Sequence, residues 1–398
     1  MKKFLTILAI LFMLYTGFIW GEIGVIINSM AHYYNVSNSS IVACFSMFTL
    51  SATIMVISST GILVEYLSLK KVLVMTSAVS IIGAIFLLMS AGIIFLKIAL
   101  FIFGIGYGIC FALSYYFVVL TTDNLNRASR MAIISFCFGI GMAVSPLIAG
   151  DMIKFGINWQ IVFTCFTIVM IPVGIISLFM NFEKTKKRDS TAKVIKKMSL
   201  ICELKSWPVT VYLMALGLLI YELAETTMVT WVVVYGQGNL HLTIMHASQL
   251  MSIFWICVII GRIMAGFALK KVKAEIYIIF VTVMSGILLT IFSFMDNTVI
   301  INFILIGLIG IGFSALYSTI TSLGTTQLKE ASPRLVSLLL GTGCVGTIMS
   351  PLITSYIKSV WGLQEVFLAS AVFMFAITLL SFLVLFINGR KLIVNRVS

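Results

Sequence analysis

Long apolar runs repeat along the whole chain, and short polar segments separate them. A helix that crosses the hydrocarbon core of a bilayer needs about 20 mostly apolar residues. The pattern predicts twelve such spans, at residues 4–30, 39–64, 72–92, 98–120, 131–153, 160–182, 209–235, 247–268, 276–295, 299–323, 335–357 and 364–388. The runs lack the alternation of apolar and polar residues that barrel strands need, so the predicted class is an all-α membrane protein with twelve transmembrane helices.

The basic residues favour one orientation of these spans. When the N-terminus is placed in the cytoplasm, 22 of the 26 Lys and Arg residues fall on the cytoplasmic side. Only Lys97, Lys154 and Lys358 fall on the other side, and Arg262 lies within a span. This asymmetry is the positive-inside pattern of multi-pass proteins. We therefore expect an integral protein of the cytoplasmic (inner) membrane with both termini in the cytoplasm.

Composition agrees with the membrane class and narrows the function. The 398 residues are 61% hydrophobic and 10% charged, whereas soluble domains carry about 25% charged residues. This composition excludes a soluble enzyme and a nucleic-acid-binding module, and the net charge of +13 reports topology instead of a nucleic-acid partner. The seven cysteines are irregularly spaced without a CxxC pair, and no HExxH, GxSxG or Walker pattern occurs. We expect no metal, no cofactor and no enzymatic activity.

Similar segments recur in the two halves of the chain, separated by about half its length. The matching pairs are 61–72 with 261–272, Glu22 with Glu222, Ser145-Pro146 with Ser350-Pro351, and Thr121-Thr122 with Thr325-Thr326. Such a repeat predicts two pseudo-symmetric six-helix halves, at residues 1–182 and 209–398. The basic stretch 183–208 between them is interpreted as a cytoplasmic linker, and a lipid-binding or regulatory segment is the alternative.

Two segments resemble a known family, the major facilitator superfamily of transporters. GILVEYLSLKK is similar to the superfamily signature G-x-L-x-D-R-x-G-R-K between spans two and three, and Gly61, Leu63, Glu65 and Lys70 keep that pattern. Residues 314–351 resemble the TsgA-like branch, which is related to the fucose:proton symporters. The resemblance implies the major facilitator fold. It also implies that Glu65, Lys70 and a partner such as Arg130 gate the cytoplasmic side.

Three acids lie inside predicted spans: Glu22, Glu222 and Glu225. A charge at the centre of a bilayer costs roughly 2.5–3.5 kcal/mol or more, unless it faces water or is neutralised. Because a low dielectric favours the neutral carboxyl, such an acid can bind and release a proton during transport. Proton coupling is the functional interpretation of these acids, and a hydrogen bond between helices is the structural alternative.

Polar and aromatic residues within the spans are candidates for binding substrate: Asn28, Tyr115, Trp255, Gln249 and Asn302. Sites in such transporters lie near the midplane between the halves. Arg262 is the single base inside a span. Its interpretation is gating or extension to the lipid headgroups, with contact to an anionic substrate or to Glu222 as the alternative.

The function predicted from these features is secondary active transport of a small polar solute by alternating access. A sugar-like metabolite moved together with protons is favoured, and proton-driven export of a drug, siderophore or toxic anion is the alternative. The exporter alternative rests on GIGMAVSPLIAG in span five, which resembles the superfamily's exporter signature. The expected partners are the solute, protons and the lipid bilayer, with no nucleic acid, and the chain is expected to be a monomer.

Overall fold

The computed structural model describes residues 2–58, 67–121, 124–179, 207–294, 299–328 and 333–397. Within these ranges the structure is helical and contains no strand. The helices are α1 (Lys2–Tyr34), α2 (Asn38–Ser58), α3 (Leu69–Leu88), α4 (Ile93–Thr121), α5 (Asn124–Lys154), α6 (Trp159–Thr164), α7 (Met170–Phe179), α8 (Val209–Gly238), α9 (Ile244–Ala268), α10 (Ala274–Phe294), α11 (Val299–Phe313), α12 (Leu316–Thr325), α13 (Pro333–Val360) and α14 (Leu363–Val397). In this part of the chain, twelve segments are long and apolar enough to cross a membrane, which confirms the prediction.

Two spans that hydropathy predicts as continuous are interrupted. The sixth span contains a 3₁₀ segment, Cys165–Val169, between α6 and α7. The tenth span breaks at Ser314 and Ala315, between α11 and α12. Hydropathy does not reveal either break because both segments keep the length and apolar character of one span. The predicted linker, 183–208, lies outside the described residues except at its last two positions.

The described helices form two groups with equivalent internal contacts. In the first half α1 packs on α5, α2 on α4, and α3 on α4; in the second half α8 packs on α13, α9 on α11, and α10 on both α11 and α14. The halves meet where α1 contacts α8, where α5 contacts α9, and where α2 contacts α13. The boundary between the halves is therefore lined by α1, α2 and α5 of the first half and by α8, α9 and α13 of the second half.

One interhelical hydrogen bond occurs in equivalent form in both halves. Ser145 Oγ donates to the carbonyl of Phe18 at 2.6 Å, and Ser350 Oγ donates to the carbonyl of Leu223 at 2.9 Å. Each serine precedes a proline inside its helix, where the ring interrupts the backbone hydrogen bonds. A single shift along the chain carries Ser145 onto Ser350 and Phe18 onto Leu223, and we call it the Ser-Pro shift. The Ser-Pro repeat of the sequence therefore marks the same contact in both halves.

Close glycine contacts between the same helices follow the same register. A Cβ atom on Gly141 would lie 2.7 Å from the carbonyl oxygen of Leu14, and one on Gly346 would press on the carbonyl oxygen of Leu219. The Ser-Pro shift carries the first of these pairs onto the second as well. Glycine at both positions lets the backbones of α1 and α5, and of α8 and α13, approach closely.

The register predicted from the sequence, which pairs Glu22 with Glu222, is wrong for these helices. With the Ser-Pro shift, Glu22 corresponds to Thr227, and Glu222 corresponds to Gly17. The segments that suggested the shorter shift, 61–72 and 261–272, have similar sequences. However, the first residues of the nearby helices, Leu69 of α3 and Ala274 of α10, are related by the Ser-Pro shift. The two acids are therefore not equivalent by symmetry.

The two ends of the bundle differ in packing. We call the side where α1 begins the termini side and the opposite side the far side. Residues 21–27 of α1 and 226–236 of α8, which extend toward the far side, are all buried. Partly exposed positions appear in both helices toward the termini side, including Leu14 and Glu222. The halves are thus closely packed on the far side, whereas α1 and α8 are less completely buried on the termini side.

Candidate functional site

Two acids of α8, Glu222 and Glu225, lie at the middle of the span and are partly exposed. Their spacing of three residues puts them on one face of the helix. Thr347 Oγ1 on α13 donates to Glu222 Oε2 at 2.9 Å, and Tyr221 Oη lies 2.7 Å from Glu225 Oε1. Each carboxyl group therefore has a hydroxyl partner within its own half of the protein.

Two tyrosines of helix α4 in the first half face charged residues of the second half. Tyr107 is within electrostatic range of Glu222, and Tyr115 is within electrostatic range of Arg262. The Tyr115 hydroxyl is hydrogen-bonded to Ser135 Oγ at 3.0 Å, which links α4 to α5. Charged groups of the second half thus face aromatic hydroxyls of the first half across the space between them.

Arg262 lies on α9 and binds the break between α11 and α12. Its Nε donates to the carbonyl of Ser314 at 3.1 Å, and the Tyr221 hydroxyl lies 3.2 Å from the carbonyl of Phe313. In an unbroken helix these two carbonyls would accept from the amides four residues later. Side chains from two other helices take that place here. Arg262 is also within electrostatic range of Glu225, so the break and the acid belong to one site.

Glu22 lies elsewhere. It is fully buried, and among the described residues neither carboxyl oxygen has a hydrogen-bond partner. One helical turn earlier, the ring of Phe18 stacks on Phe166 of the 3₁₀ segment with centroids 4.3 Å apart. Glu22 is also within electrostatic range of Cys165 in that segment. Its side chain therefore faces the interior of the first half and not the acids of α8.

Asn28 joins the two halves on the far side. Its Nδ2 donates to Gln237 Oε1 near the end of α8 at 2.5 Å, and Asn38 Nδ2 donates to Asn28 Oδ1 at 2.8 Å. The first bond crosses between the halves, whereas the second stays within the first half. Asn28 thus lies where the halves are closed, and its role in binding substrate stays a prediction.

The other predicted binding residues lie on α9 and α11. Trp255 is buried at mid-span in α9, edge-on to Phe254 with ring centroids 5.2 Å apart. Gln249 lies near the far-side end of α9, and Asn302 is buried in the first turn of α11. Whether these side chains bind substrate stays a prediction.

The predicted cytoplasmic gate is described only in part. Lys70 lies in the first turn of α3, and Arg130 is exposed near the start of α5. Glu65, the acid expected to pair with them, lies outside the described residues. Arg262 is exposed and binds the α11–α12 break through its Nε, and its role in gating stays a prediction.

Sequence reasoning missed two side chains that the structure places at functional positions. Thr347 is a partner of Glu222, and the pattern Gly343-Cys344-Val345-Gly346-Thr347 could have indicated a helix surface close to α8. Gln237 is a polar residue just beyond the end of the predicted span 209–235, where hydropathy places a boundary. In the described ranges, no three His, Cys, Asp or Glu side chains are grouped as a metal site would require.

Comparison with known proteins agrees with this architecture. The sequence profile of the Major Facilitator Superfamily matches residues 5–332. The chain belongs to this superfamily. It is therefore an integral, multi-pass membrane protein and a secondary transporter.

Within the superfamily the chain is similar to the TsgA-like branch. It is 27% identical over 382 residues to a protein TsgA homolog of Buchnera aphidicola, with 96% of each chain covered. A TsgA homolog of Yersinia pestis is 26% identical over 333 residues, with 83% of this chain and 82% of the relative covered. These matches confirm the branch that residues 314–351 suggested.

Solved structures of the superfamily share the fold. A mutant of the nucleoside transporter NupG superposes with a TM-score of 0.76 and 12% identity, covering 96% of this chain and 99% of that one. A bacterial homolog of the human lysosomal transporter Spinster, in an inward-facing and unoccupied conformation, gives a TM-score of 0.76 and 13% identity, covering 96% of both chains. At this identity the likeness concerns the fold alone.

Proposed function

We propose that this transporter moves a small polar solute by alternating access and couples the movement to protons. One observation carries the proposal: Glu222 and Glu225 are partly exposed at the middle of α8, and Glu222 is within electrostatic range of Tyr107 in the opposite half. A carboxyl group at this depth costs several kcal/mol if it stays charged in lipid, roughly 2.5–3.5 kcal/mol at the least. Exposure to a water-filled space lets the pair bind and release protons.

The orientation follows from the basic residues. The sequence assigns 22 of the 26 Lys and Arg residues to the side of the termini, so this side faces the cytoplasm of a bacterial-type inner membrane. The packed far-side ends of α1 and α8 then support an inward-facing state that is closed toward the outside. The chain acts as a monomer in the lipid bilayer, with no cofactor and no nucleic-acid partner.

A sugar-like metabolite is the favoured solute. Tyr107, Tyr115 and Tyr317 lie around the acid pair and offer ring faces and hydroxyl groups, which suit a polyhydroxylated molecule. The resemblance to fucose:proton symporters points to the same class. Nucleosides belong in the same test panel, since one protein of this fold transports them.

Counterflow in proteoliposomes with labelled sugars and nucleosides tests the solute. With a transported solute in hand, an imposed proton gradient tests coupling. Glu222→Gln and Glu225→Gln should lose proton-driven accumulation and keep counterflow, because exchange of solute needs no net proton movement. Glu22→Gln should leave the apparent affinity for solute unchanged, because Glu22 faces the interior of the first half. Undiminished accumulation in both α8 variants would remove the pair from coupling.

Proton-driven export is the second candidate function. It is favoured by the glycines of the exporter-like segment, since Gly141 contacts α1 and Gly150 contacts Ser248 of the other half. The direction of coupling separates the candidates. A proton gradient directed into vesicles drives solute in for a symporter and drives solute out for an antiporter.

A further inference from the structure

The hydroxyl of Tyr221 lies between two hydrogen-bond acceptors. Glu225 Oε1 is 2.7 Å away, and the carbonyl oxygen of Phe313 is 3.2 Å away. A phenol carries a single proton and can donate to one of them at a time. When Glu225 is ionised, both neighbours are pure acceptors, so one contact lacks a proton. Because charge-assisted bonds are the stronger ones, the proton then goes to the carboxylate.

Protonation of Glu225 removes this conflict without moving a heavy atom. The carboxyl O–H can donate to the Tyr221 oxygen, and the phenol O–H can turn to the Phe313 carbonyl. Phe313 is fully buried, so its carbonyl has a strong need for a donor. Without Tyr221, the natural donor for this carbonyl is the amide of Tyr317, four residues later, which becomes available if α11 and α12 join into one helix.

We propose that Glu225 and Tyr221 form a proton-operated lock on the break between α11 and α12. The protonated acid holds the break open through Tyr221, and the ionised acid favours a continuous helix across Ser314 and Ala315. Arg262 holds the second carbonyl of the break, that of Ser314, in the state described here. The inference rests on the proposed role of Glu225 as a proton-binding group, and it makes Tyr221 a positioning residue.

The first half of the protein provides an internal comparison. Under the Ser-Pro shift, Tyr221 corresponds to Thr16 and Glu225 corresponds to Trp20. Helix α4 corresponds to α11 and α12 together, in a register one residue longer than the Ser-Pro shift, since Gly104 meets the carbonyl of Phe48 as Gly310 meets that of Phe254. Helix α4 is continuous from Ile93 to Thr121. The break therefore occurs in the half that has the acid and the tyrosine.

Several groups besides Tyr221 act on the charge of Glu225. Glu222 is on the same helix, Arg262 comes from α9, and Tyr317 comes from α12. Helix α4 contributes Tyr107 and Tyr115, which face Glu222 and Arg262. The pH at which the lock switches therefore depends on the whole group, whereas Tyr221 is the side chain that links Glu225 to the carbonyl of Phe313.

Hydrogen–deuterium exchange of the full chain in lipid nanodiscs tests the lock without any solute. The amides of Tyr317 and Ser318 begin a helix in the broken state and have no intrahelical acceptor there. After correction for the intrinsic rate at each pH, their protection should rise by roughly 2- to 13-fold between pH 5 and pH 9, the range set by one hydrogen bond.

Three variants give different expected results. Glu225→Gln carries an amide that can donate to Tyr221, so protection should stay low at every pH. Tyr221→Phe removes the donor for Phe313, so protection should stay high at every pH. Tyr235→Phe is the matched control, because Tyr235 lies on the same helix and donates to the carbonyl of Ser293 at 3.1 Å. It should keep the pH dependence of the parent protein.

A wild-type protein whose corrected protection does not change with pH overturns the lock. So does a Tyr221→Phe variant that keeps the pH dependence of the parent. If Tyr221→Phe does not yield folded protein, as judged by thermal unfolding, the contrast between wild type and Glu225→Gln decides alone. A failed lock together with intact proton-driven transport would leave the proposed function standing, since exchange and transport are measured separately.

Discussion

The hydrogen bond between Asn28 and Gln237 should bias the protein toward closure on the far side. It joins the end of α1 to the end of α8 with an N···O distance of 2.5 Å. Opening the far side must separate these helix ends and break this bond. The bond from Asn38 to Asn28 lies within the first half and is kept when the halves move as bodies.

The size of the effect follows from counting bonds that differ between the two states. Asn28→Ala removes one bond that exists only when the far side is closed. A hydrogen bond contributes about 0.5–1.5 kcal/mol net, which is about 2- to 13-fold in a population ratio at 25 °C. The open form should gain by that factor. Asn38→Ala removes a bond present in both states and should leave the ratio close to that of the parent.

Distances between spin labels can report the populations. Tyr33→Cys and His241→Cys place labels at exposed positions near the far-side ends of α1 and α8, in a background with the native cysteines replaced. In proteoliposomes, Asn28→Ala should increase the long-distance fraction, and Asn38→Ala should not. The reasoning is refuted if Asn28→Ala leaves the distribution unchanged, or if Asn38→Ala shifts it by as much.

Three further predictions concern stability, measured as Tm in detergent. Gly346→Ala should lower the Tm, because a Cβ atom there would press on the backbone of α8. Gly341→Ala is the control, since a Cβ atom there meets nothing within 4 Å, and it should be neutral or stabilising by up to about 1 kcal/mol. Equal losses of Tm in both variants would contradict the contact. Ser145→Ala and Ser350→Ala should each lower the stability by a similar amount, about 1 kcal/mol, since each removes one hydrogen bond to a carbonyl. A large difference between the two variants would speak against the symmetry. Glu22→Met should raise the Tm, because a buried unsatisfied polar group costs about 1–3 kcal/mol; a lower Tm would mean that the carboxyl group has a partner.

Hydropathy predicts the twelve spans well because a spanning helix is specified by length and apolar content alone. The faces of the helices are not predictable in the same way. Residues around Glu22 are apolar on every side of α1, so no periodic polar face indicates whether its carboxyl points toward α8 or into the first half. The break at Ser314 has no proline or charge to mark it. Only packing against α8 and α9 supplies the donors that make it stable.

The correct register also changes which residues deserve functional interest. A register that pairs Glu22 with Glu222 makes the two acids appear symmetric, and symmetry then suggests a shared role. The Ser-Pro shift leaves the Ser-Pro contacts as the symmetric feature and makes the acids of α8 an asymmetric one. The contacts that shift within each half when the halves rock against each other need to be similar in both halves. Proton binding needs suitable groups in one half only. Mutagenesis should therefore target the positions where the halves differ. Glu225 and Tyr221 form such a difference, and Tyr221 contacts a backbone carbonyl, that of Phe313.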